Sequence, residues 1–106
     1  MPTPLGRKVR ELRKAKGLTL DGLAKATGSS KSYVWEVENN DVARPSAEKL
    51  NRFAAVLEVT PEFLTDDARS EPESRDVDTA FFRKYERMPE GTKEKIRNIL
   101  DVLDKD

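Results

Sequence analysis

The sequence predicts an all-α fold, and three observations support this prediction. Apolar residues recur at spacings of three and four along five successive segments of the first 65 residues, as they do on the buried face of a helix. Serine or threonine stands just before several of these segments, where N-cap residues are expected. Glycine follows two of them, where a helix can end in a left-handed residue. The positions are Thr19, Ser46, Thr60, Gly17 and Gly28.

The first helix is predicted over residues 5–16, with Leu5, Val9 and Leu12 on one stripe. Six of its residues are basic and one is acidic. Such a run is either a solvated face or a surface that lies near phosphates, and the sequence leaves both interpretations open. The preceding residues 1–4 are expected to form a flexible lead-in.

Residues 18–40 predict two short helices separated by a tight turn. The first covers about residues 20–26, and Gly28 can adopt the positive φ that turns the chain. The serine at position 29 or 30 then caps a second helix that reaches about Glu38. Two helices joined in this way form a helix-turn-helix, whose second helix can enter the major groove of DNA.

Two more helices are expected before residue 65. Asn40 is expected to end the second helix of the pair in the left-handed conformation, which asparagine tolerates better than most residues. Ser46 then caps a fourth helix, and Thr60-Pro61 begins a short fifth one. Their predicted inward residues are Leu50, Phe53, Ala54, Leu57, Phe63 and Leu64.

Composition excludes several classes of function. The 106 residues contain no cysteine and no histidine, which removes disulfides, thiolate metal sites and the usual general base. We therefore expect no catalytic residues, no metal and no cofactor. No apolar run approaches the roughly 18 residues needed to span a bilayer, and no signal-peptide pattern opens the chain. A cytoplasmic protein without membrane contact is expected.

The net charge of zero conceals an asymmetry. Residues 1–64 contain eleven Lys or Arg and eight Asp or Glu, which gives +3. Residues 65–106 contain nine and twelve, which gives −3. A basic first half is compatible with a nucleic-acid partner there.

The end of the chain is predicted to hold a linker and two amphipathic helices. Residues 66–78 have little apolar content and are predicted as a polar linker. The helical region then covers 79–106, with apolar side chains at helical spacings. Two helices of this length cannot bury their stripes alone. They must pack on the bundle, on each other across a two-fold axis, or on another protein.

Residues 5–65 resemble the Cro and phage-repressor type (XRE-like) helix-turn-helix domain of bacterial and phage transcription regulators. The matching segments are RELRKAKGLT (10–19), LAKATG (23–28), SKSYVWEVEN (30–39) and RPSAEKLNRFAAVLEVTPEFL (44–64). The spacing of six positions fits as a set: Leu18, Ala24, Gly28, Val37, Glu38 and Pro45. The resemblance implies a five-helix, lambda-repressor-like bundle in residues 1–65 that binds double-stranded DNA.

The resemblance also implies which side chains read bases. Lys31 and Ser32 match positions that contact base edges, and Glu36 matches another base-reading position one turn later. Tyr33 matches a position that reaches the DNA backbone or a thymine methyl group. Lysine can donate to guanine O6 and N7, and serine can serve either kind of base edge.

Two further pairs of residues take roles from the same resemblance. Asn39 and Arg44 match phosphate-contacting positions that follow the second helix. Such contacts set the register of the protein on DNA but carry no sequence information. Arg13 and Glu38 match an ion pair that ties the first helix to the recognition helix, which is a structural role.

Three positions depart from the pattern of the family. Leu20 stands where glutamine often contacts a phosphate, and Glu36 is acidic on a surface expected to face a polyanion. A carboxylate there can accept from cytosine N4. Trp35 stands where a small residue is usual, and its ring has three possible contacts: the following loop, a DNA sugar or methyl group, and a partner chain.

Proteins that resemble this one usually bind as dimers to half-sites about one DNA turn apart. We therefore interpret residues 79–106 as a dimerisation element, with packing on its own bundle as the alternative. A higher oligomer is also possible. The residues expected at this interface are Phe81, Tyr85, Ile96, Ile99, Leu100 and Leu103.

The predicted function is that of a homodimeric, sequence-specific DNA-binding repressor on an inverted-repeat operator. One alternative is an antitoxin that represses its own operon and binds a toxin through its tail. Another is a protein-interaction adaptor that does not read DNA. The tail also resembles those of prophage-type and stress-response repressors, some of which are inactivated by cleavage, so a protease is a further candidate partner.

Overall fold

Every regular element that the computed structural model describes is an α-helix, within residues 2–40 and 45–105. The predicted all-α class is confirmed. The helices are α1 (Pro4–Ala15), α2 (Leu20–Thr27), α3 (Lys31–Asn39), α4 (Ala47–Leu57), α5 (Pro61–Thr65), α6 (Ser74–Glu86) and α7 (Glu90–Leu103).

The first five helices begin in the same way. At each start a hydroxyl accepts a hydrogen bond from the backbone N–H three residues later, which satisfies one of the free donors of the first turn. The capping residues are Thr3, Thr19, Ser30, Ser46 and Thr60. The cap at Thr3 corrects one expectation, because the segment before residue 5 is not simply a lead-in: α1 already begins at Pro4.

Two helix ends follow the prediction and one does not. Gly17 and Gly28 have φ of 71° and 67° at the ends of α1 and α2. Asn40, predicted to be left-handed, is instead extended, with φ of −109° and ψ of 159°. Its side-chain amide donates to Glu36 Oε2 at 2.5 Å, and this bond holds the amide against α3. Glu58 at the end of α4 is also left-handed, with φ of 60°. The expectation that glycine ends a helix does not predict this residue.

The core lies among α1 to α5, and α3 packs against both α1 and α2. The inward residues predicted for α4 and α5 are all buried, which confirms the helical spacing read from the sequence. α1 approaches α3 closely, because a Cβ at Gly6 would overlap the carbonyl oxygen of Val37. The largest buried apolar side chains include Phe53, Phe63, Leu23 and Leu64.

The tail is attached to this bundle through α6, which packs on α4. α6 begins at Ser74, inside the segment 66–78 for which we predict a linker, so the helical region starts earlier than expected. Asp76 is the only buried residue of α6, and α7 has none. Within residues 2–40 and 45–105, no helix is both long enough and apolar enough to cross a bilayer.

Arg69 fixes the segment between α5 and α6. Its guanidinium donates to both carboxylate oxygens of Asp76, at 2.7 and 3.0 Å, and to Asp66 at 3.2 Å. It also lies 5.3 Å from the centre of the Phe63 ring. The Arg69 hydrogen bonds hold the pKa of Asp76 below its ordinary value of 3.8. The ion pairs of Arg69 therefore hold the segment between α5 and α6 in place, although its composition is that of a linker.

Candidate nucleic-acid interface

The outward surface of α3 collects most of the residues predicted to contact DNA. Lys31, Ser32 and Trp35 are exposed, and Glu36 and Asn39 are half-buried. Their spacing along the helix places them on one face. The opposite face carries Val34 and Val37, both buried in the core. α3 therefore presents polar side chains on a helix whose orientation is set by packing.

An ion pair with α1 also fixes the orientation of α3. Arg13 Nε donates to Glu38 Oε2 at 2.7 Å, and Arg13 Nη2 donates to Glu38 Oε1 at 3.0 Å. A third bond runs from Arg13 Nη1 to the carbonyl of Leu18 at 2.9 Å. Glu38 is 2% exposed, so water competes little with this two-point contact. The pair ties α3 to α1.

Tyr33 lies at the inner edge of the exposed face. Its ring stacks on Phe53, with centroids 6.3 Å apart, and Lys49 Nζ lies 5.3 Å from its centre. Burial raises the pKa of the Tyr33 phenol above its ordinary value of 10.0, so the hydroxyl stays protonated at neutral pH. It can then donate a hydrogen bond to an acceptor such as a phosphate oxygen.

Glu36 and Asn39 make hydrogen bonds within their own segment. The Glu36 carboxylate accepts from the Asn40 amide, which orients it along the helix. The Asn39 amide donates to the carbonyl of Trp35 at 3.0 Å and has a second amide hydrogen for another acceptor.

Trp35 and Leu20 form an apolar part of the same surface. The indole is 46% exposed. Both residues line a shallow depression with Lys31, Ser32 and Glu36. Leu20 is partly buried against the core, so its side chain brings α2 into this surface. The depression therefore combines two apolar side chains with polar groups, an arrangement suited to a thymine methyl or a sugar.

The basic residues of α1 do not all face solvent. Lys8 is buried, and its Nζ donates to the carbonyls of Phe63 and Asp66 at 2.7 and 2.6 Å. Desolvation by burial lowers the pKa of Lys8 below its ordinary value of 10.5. With Arg13 also buried, two of the six basic residues hold the fold together. The other four are exposed: Arg7, Arg10, Lys14 and Lys16.

Two cations on α4 were not singled out by the sequence analysis. Lys49 Nζ donates to Ser29 Oγ at 3.0 Å and points to the carbonyl of Gly28 at 3.4 Å. Arg52 Nη1 lies close enough to contact a Cβ added at Gly28, at 3.2 Å. Both side chains therefore lie beside the turn before α3. Only the packing of α4 against α2 reveals this, because the two segments are distant in sequence.

Arg44, the second predicted phosphate contact, lies outside the residues that the structure describes. Its role stays a prediction from the sequence. Among the described residues, no group of three or more acidic side chains is placed to hold a metal ion.

The arrangement of α2, the Gly28 turn and α3 defines a helix-turn-helix domain. The chain matches the family model of the helix-turn-helix domain over residues 4–65. The HTH-type transcriptional regulator SinR of Bacillus subtilis (strain 168) is 30% identical over 99 residues, which cover 92% of this chain and 89% of SinR. The protein therefore belongs to the family of helix-turn-helix transcriptional regulators.

Two solved structures are similar to this one. A crystal structure of SinR in complex with DNA is 37% identical, with a TM-score of 0.56, and the match covers 58% of this chain and 98% of that chain. A chain in a solved complex of the SinR and SinI proteins is 28% identical, with a TM-score of 0.59. That match covers 93% of this chain and 93% of that chain. The second match therefore includes the region of α6 and α7. These relatives are regulators, which agrees with the expectation that this chain is not an enzyme.

Proposed function

We propose that this protein is a homodimeric, sequence-specific DNA-binding repressor and that α3 is its recognition helix. The observation that carries the proposal is the outward face of α3, which displays Lys31, Ser32 and Trp35 while its inner face is fixed by the core and by Arg13. A helix held in this way can present the same donors to the major groove each time it docks. The SinR structure solved with DNA supports the proposal, because it matches this chain over the same domain.

Base recognition is assigned to the exposed start of α3. Lys31 would donate to guanine O6 or N7, and Ser32 would bond either kind of base edge. Glu36 would accept from cytosine N4, with its carboxylate already oriented by Asn40. Trp35 would contact a thymine methyl or a sugar from the depression that it lines with Leu20.

Phosphate contacts are assigned to residues around this face. Asn39 has a free amide hydrogen, Tyr33 has a protonated hydroxyl, and Lys49 lies beside the turn before α3. Arg44 keeps the role implied by the sequence. These contacts would orient the domain on DNA without selecting a sequence.

The tail is proposed to hold two copies together. Large apolar side chains on α6 and α7 are exposed, with Phe81 at 54% and Ile99 at 60%, and an isolated chain would leave this surface in water. In the proposed domain division, residues 1–65 bind DNA, residues 66–78 connect this domain to the tail, and residues 79–106 form the dimer contact. The helical part of the tail begins at Ser74. The predicted dimer residues Tyr85 and Ile96 are only half-buried, so they remain available for contact.

Gel shift against fragments of the source genome at two salt concentrations tests the proposal. We expect a few fragments to be retarded, with affinity that falls as salt rises because phosphate contacts release counterions. A variant with Lys31→Ala and Ser32→Ala should keep its fold but lose the preference for those fragments. No retarded fragment at either salt concentration would refute the repressor and favour the protein-interaction adaptor.

A protein that binds the tail is the second candidate activity. The structure that favours it is the SinR–SinI complex, which matches 93% of this chain. The partner would be a toxin, a protease or another regulator that covers the exposed apolar residues. Co-purification of a product encoded beside the gene, lost when the chain is cut after Thr65, would support this candidate.

A further inference from the structure

A groove separates the DNA-binding bundle from the tail. One wall is formed by α4 and the start of α5, and the other by α6, around a volume of about 510 Å³. We call it the α4–α6 groove. Its walls are mainly apolar, with Ala54, Ala55 and Val59 on the bundle side and Val77 and Phe81 on the tail side. The exposure of Phe81 shows that α6 alone does not fill this space.

Basic side chains line the α6 edge of the groove. Arg83 donates to both carboxylate oxygens of Glu62, at 3.2 and 3.3 Å. Lys84 and Arg87 also line the groove, and neither forms an ion pair with any residue that the structure describes. Glu58 also lines the groove, but its carboxylate is paired with Lys16 at 3.1 Å. The unpaired charge of the groove is therefore positive, which fits an apolar segment that carries negative charge beside its apolar face.

The end of α7 has this chemistry. Leu100 and Leu103 are 52% and 66% exposed, and α7 buries no residue against its own chain. Asp101 and Asp104 flank these leucines, and neither is paired with a cation among the described residues. Residues 99–104 therefore carry exposed apolar side chains, which the groove could cover, and unpaired carboxylates, which the cations of the groove could bind.

We propose that residues 99–104 of a second copy occupy the α4–α6 groove, with Asp101 and Asp104 facing Lys84 and Arg87. By two-fold symmetry the exchange is reciprocal, so each contact occurs twice. The inference rests on the proposed dimer and adds its geometry. It also makes the DNA-binding domain part of the interface, because α4 supplies one wall of the receiving groove.

Disulfide trapping tests the contact directly, because the natural chain has no cysteine. One batch of protein carries Ala55→Cys in the groove, and a second batch carries Leu103→Cys on α7. The batches are mixed under reducing conditions so that subunits exchange, and are then oxidised. We expect a mixed disulfide as the main crosslinked product, since a disulfide requires Cα atoms within roughly 7 Å. Ala68→Cys, which is exposed and outside the groove, replaces Ala55→Cys as the matched control and should crosslink poorly.

Charge reversal gives an independent test in the full chain. Lys84→Glu with Arg87→Glu should weaken self-association by roughly tenfold, as should Asp101→Lys with Asp104→Lys. Combining all four changes in one chain should restore it. Arg75→Glu with Lys95→Glu makes the same change in net charge outside the groove and should have little effect. Failure of the combined variant to recover, while it stays folded, would overturn the proposed pairing.

The outcomes distinguish this inference from the proposed function. If the natural chain sediments as a dimer but the main crosslink joins Leu103 to Leu103, the α7 ends pack on each other and the groove proposal is wrong. The repressor proposal would then be unaffected. If the natural chain sediments as a monomer at micromolar concentration, the dimer itself is refuted, and the groove contact with it.

Discussion

Side chains on α3 and in the sequence just after it divide into those that would select a DNA sequence and those that would only add affinity. Lys31→Ala removes a donor to a base edge, so discrimination between cognate and altered sites should fall by ~1–3 kcal/mol. Arg44→Ala would remove the proposed phosphate contact, so binding to all sequences should weaken alike and the salt slope should fall by about one. Fluorescence anisotropy on matched cognate and altered duplexes at several salt concentrations measures both. Identical behaviour of the two variants would refute this division of roles.

Glu38 is expected to contribute stability rather than DNA contacts. Glu38→Gln keeps the shape of the side chain but leaves the buried Arg13 guanidinium without its counter-charge. We expect the free energy of unfolding to fall by about 3–5 kcal/mol, measured by urea denaturation. Glu11→Gln, on the exposed face of α1, is the matched control and should change stability by less than ~0.5 kcal/mol. Equal effects of the two substitutions would show that the ion pair is not stabilising.

The roles of residues that depend only on their sequence neighbours were predictable, whereas the roles of residues fixed by contacts distant in sequence were not. Thr19, Ser46 and Gly28 follow rules that involve only their sequence neighbours. In the sequence, Lys8 is one cation in a basic run. Only the packing of α5 against α1 shows that its ammonium is buried and donates to backbone carbonyls. Asn40 had a plausible left-handed role, but its bond to Glu36 holds it in the extended conformation.

Among the helices, the contact between α1 and α3 depends on a single glycine. Gly6→Ala would place a methyl group against the Val37 carbonyl, and this overlap should cost more than the ~1 kcal/mol that alanine gains in helix propensity. We expect a lower melting temperature by thermal denaturation. Gly91→Ala, where nothing beyond the adjacent residues and the neighbouring backbone of its own helix lies within 4 Å of the added Cβ, should instead be neutral or slightly stabilising. A stabilised Gly6→Ala variant would contradict the close packing.

The connection from α5 to α6 should respond to acid through Asp76. Arg69 holds the folded-state pKa of Asp76 below 3.8, so this pair stabilises the fold above that pH and stops doing so as pH falls through the folded-state pKa. Asp76→Asn should therefore lower stability at neutral pH, and the difference from the natural chain should shrink as the pH falls below 3.8. Urea denaturation across this range measures it.

Asp78→Asn, on the exposed surface of the same helix, is the control for the acid experiment. It should leave the stability nearly unchanged at every pH, because Asp78 has no ion pair among the described residues. A difference between Asp76→Asn and the natural chain that does not shrink as the pH falls below 3.8 would contradict the assigned role of Arg69.

The helices themselves were largely predictable, because each carries its own apolar spacing and cap. The start of α6 was missed for a physical reason. Residues 66–78 are so polar that composition predicts a linker, yet Asp76 accepts from the Glu73 N–H at 2.7 Å and binds Arg69. Charged contacts, rather than apolar burial, order this segment. Hydrophobic spacing therefore cannot detect it.

For the whole molecule, the tail should matter for DNA affinity and not for the folding of the bundle. Truncation after Thr65 keeps α1 to α5 and their apolar core. It removes the Asp66 carbonyl but leaves Lys8 its bond to the carbonyl of Phe63, so we expect a folded domain by circular dichroism. It should be monomeric by sedimentation and bind operator DNA much more weakly, because two linked domains gain affinity from binding together. An unchanged dimer after truncation would refute the role assigned to α6 and α7.

Two copies of the protein should read DNA together, each through its own α3. Native mass spectrometry of the full chain on a selected genomic fragment tests it most directly. We expect two chains per duplex, with the complex lost when Lys31 and Ser32 are both replaced by alanine. One chain per duplex at the same affinity, or complexes unaffected by those substitutions, would contradict it.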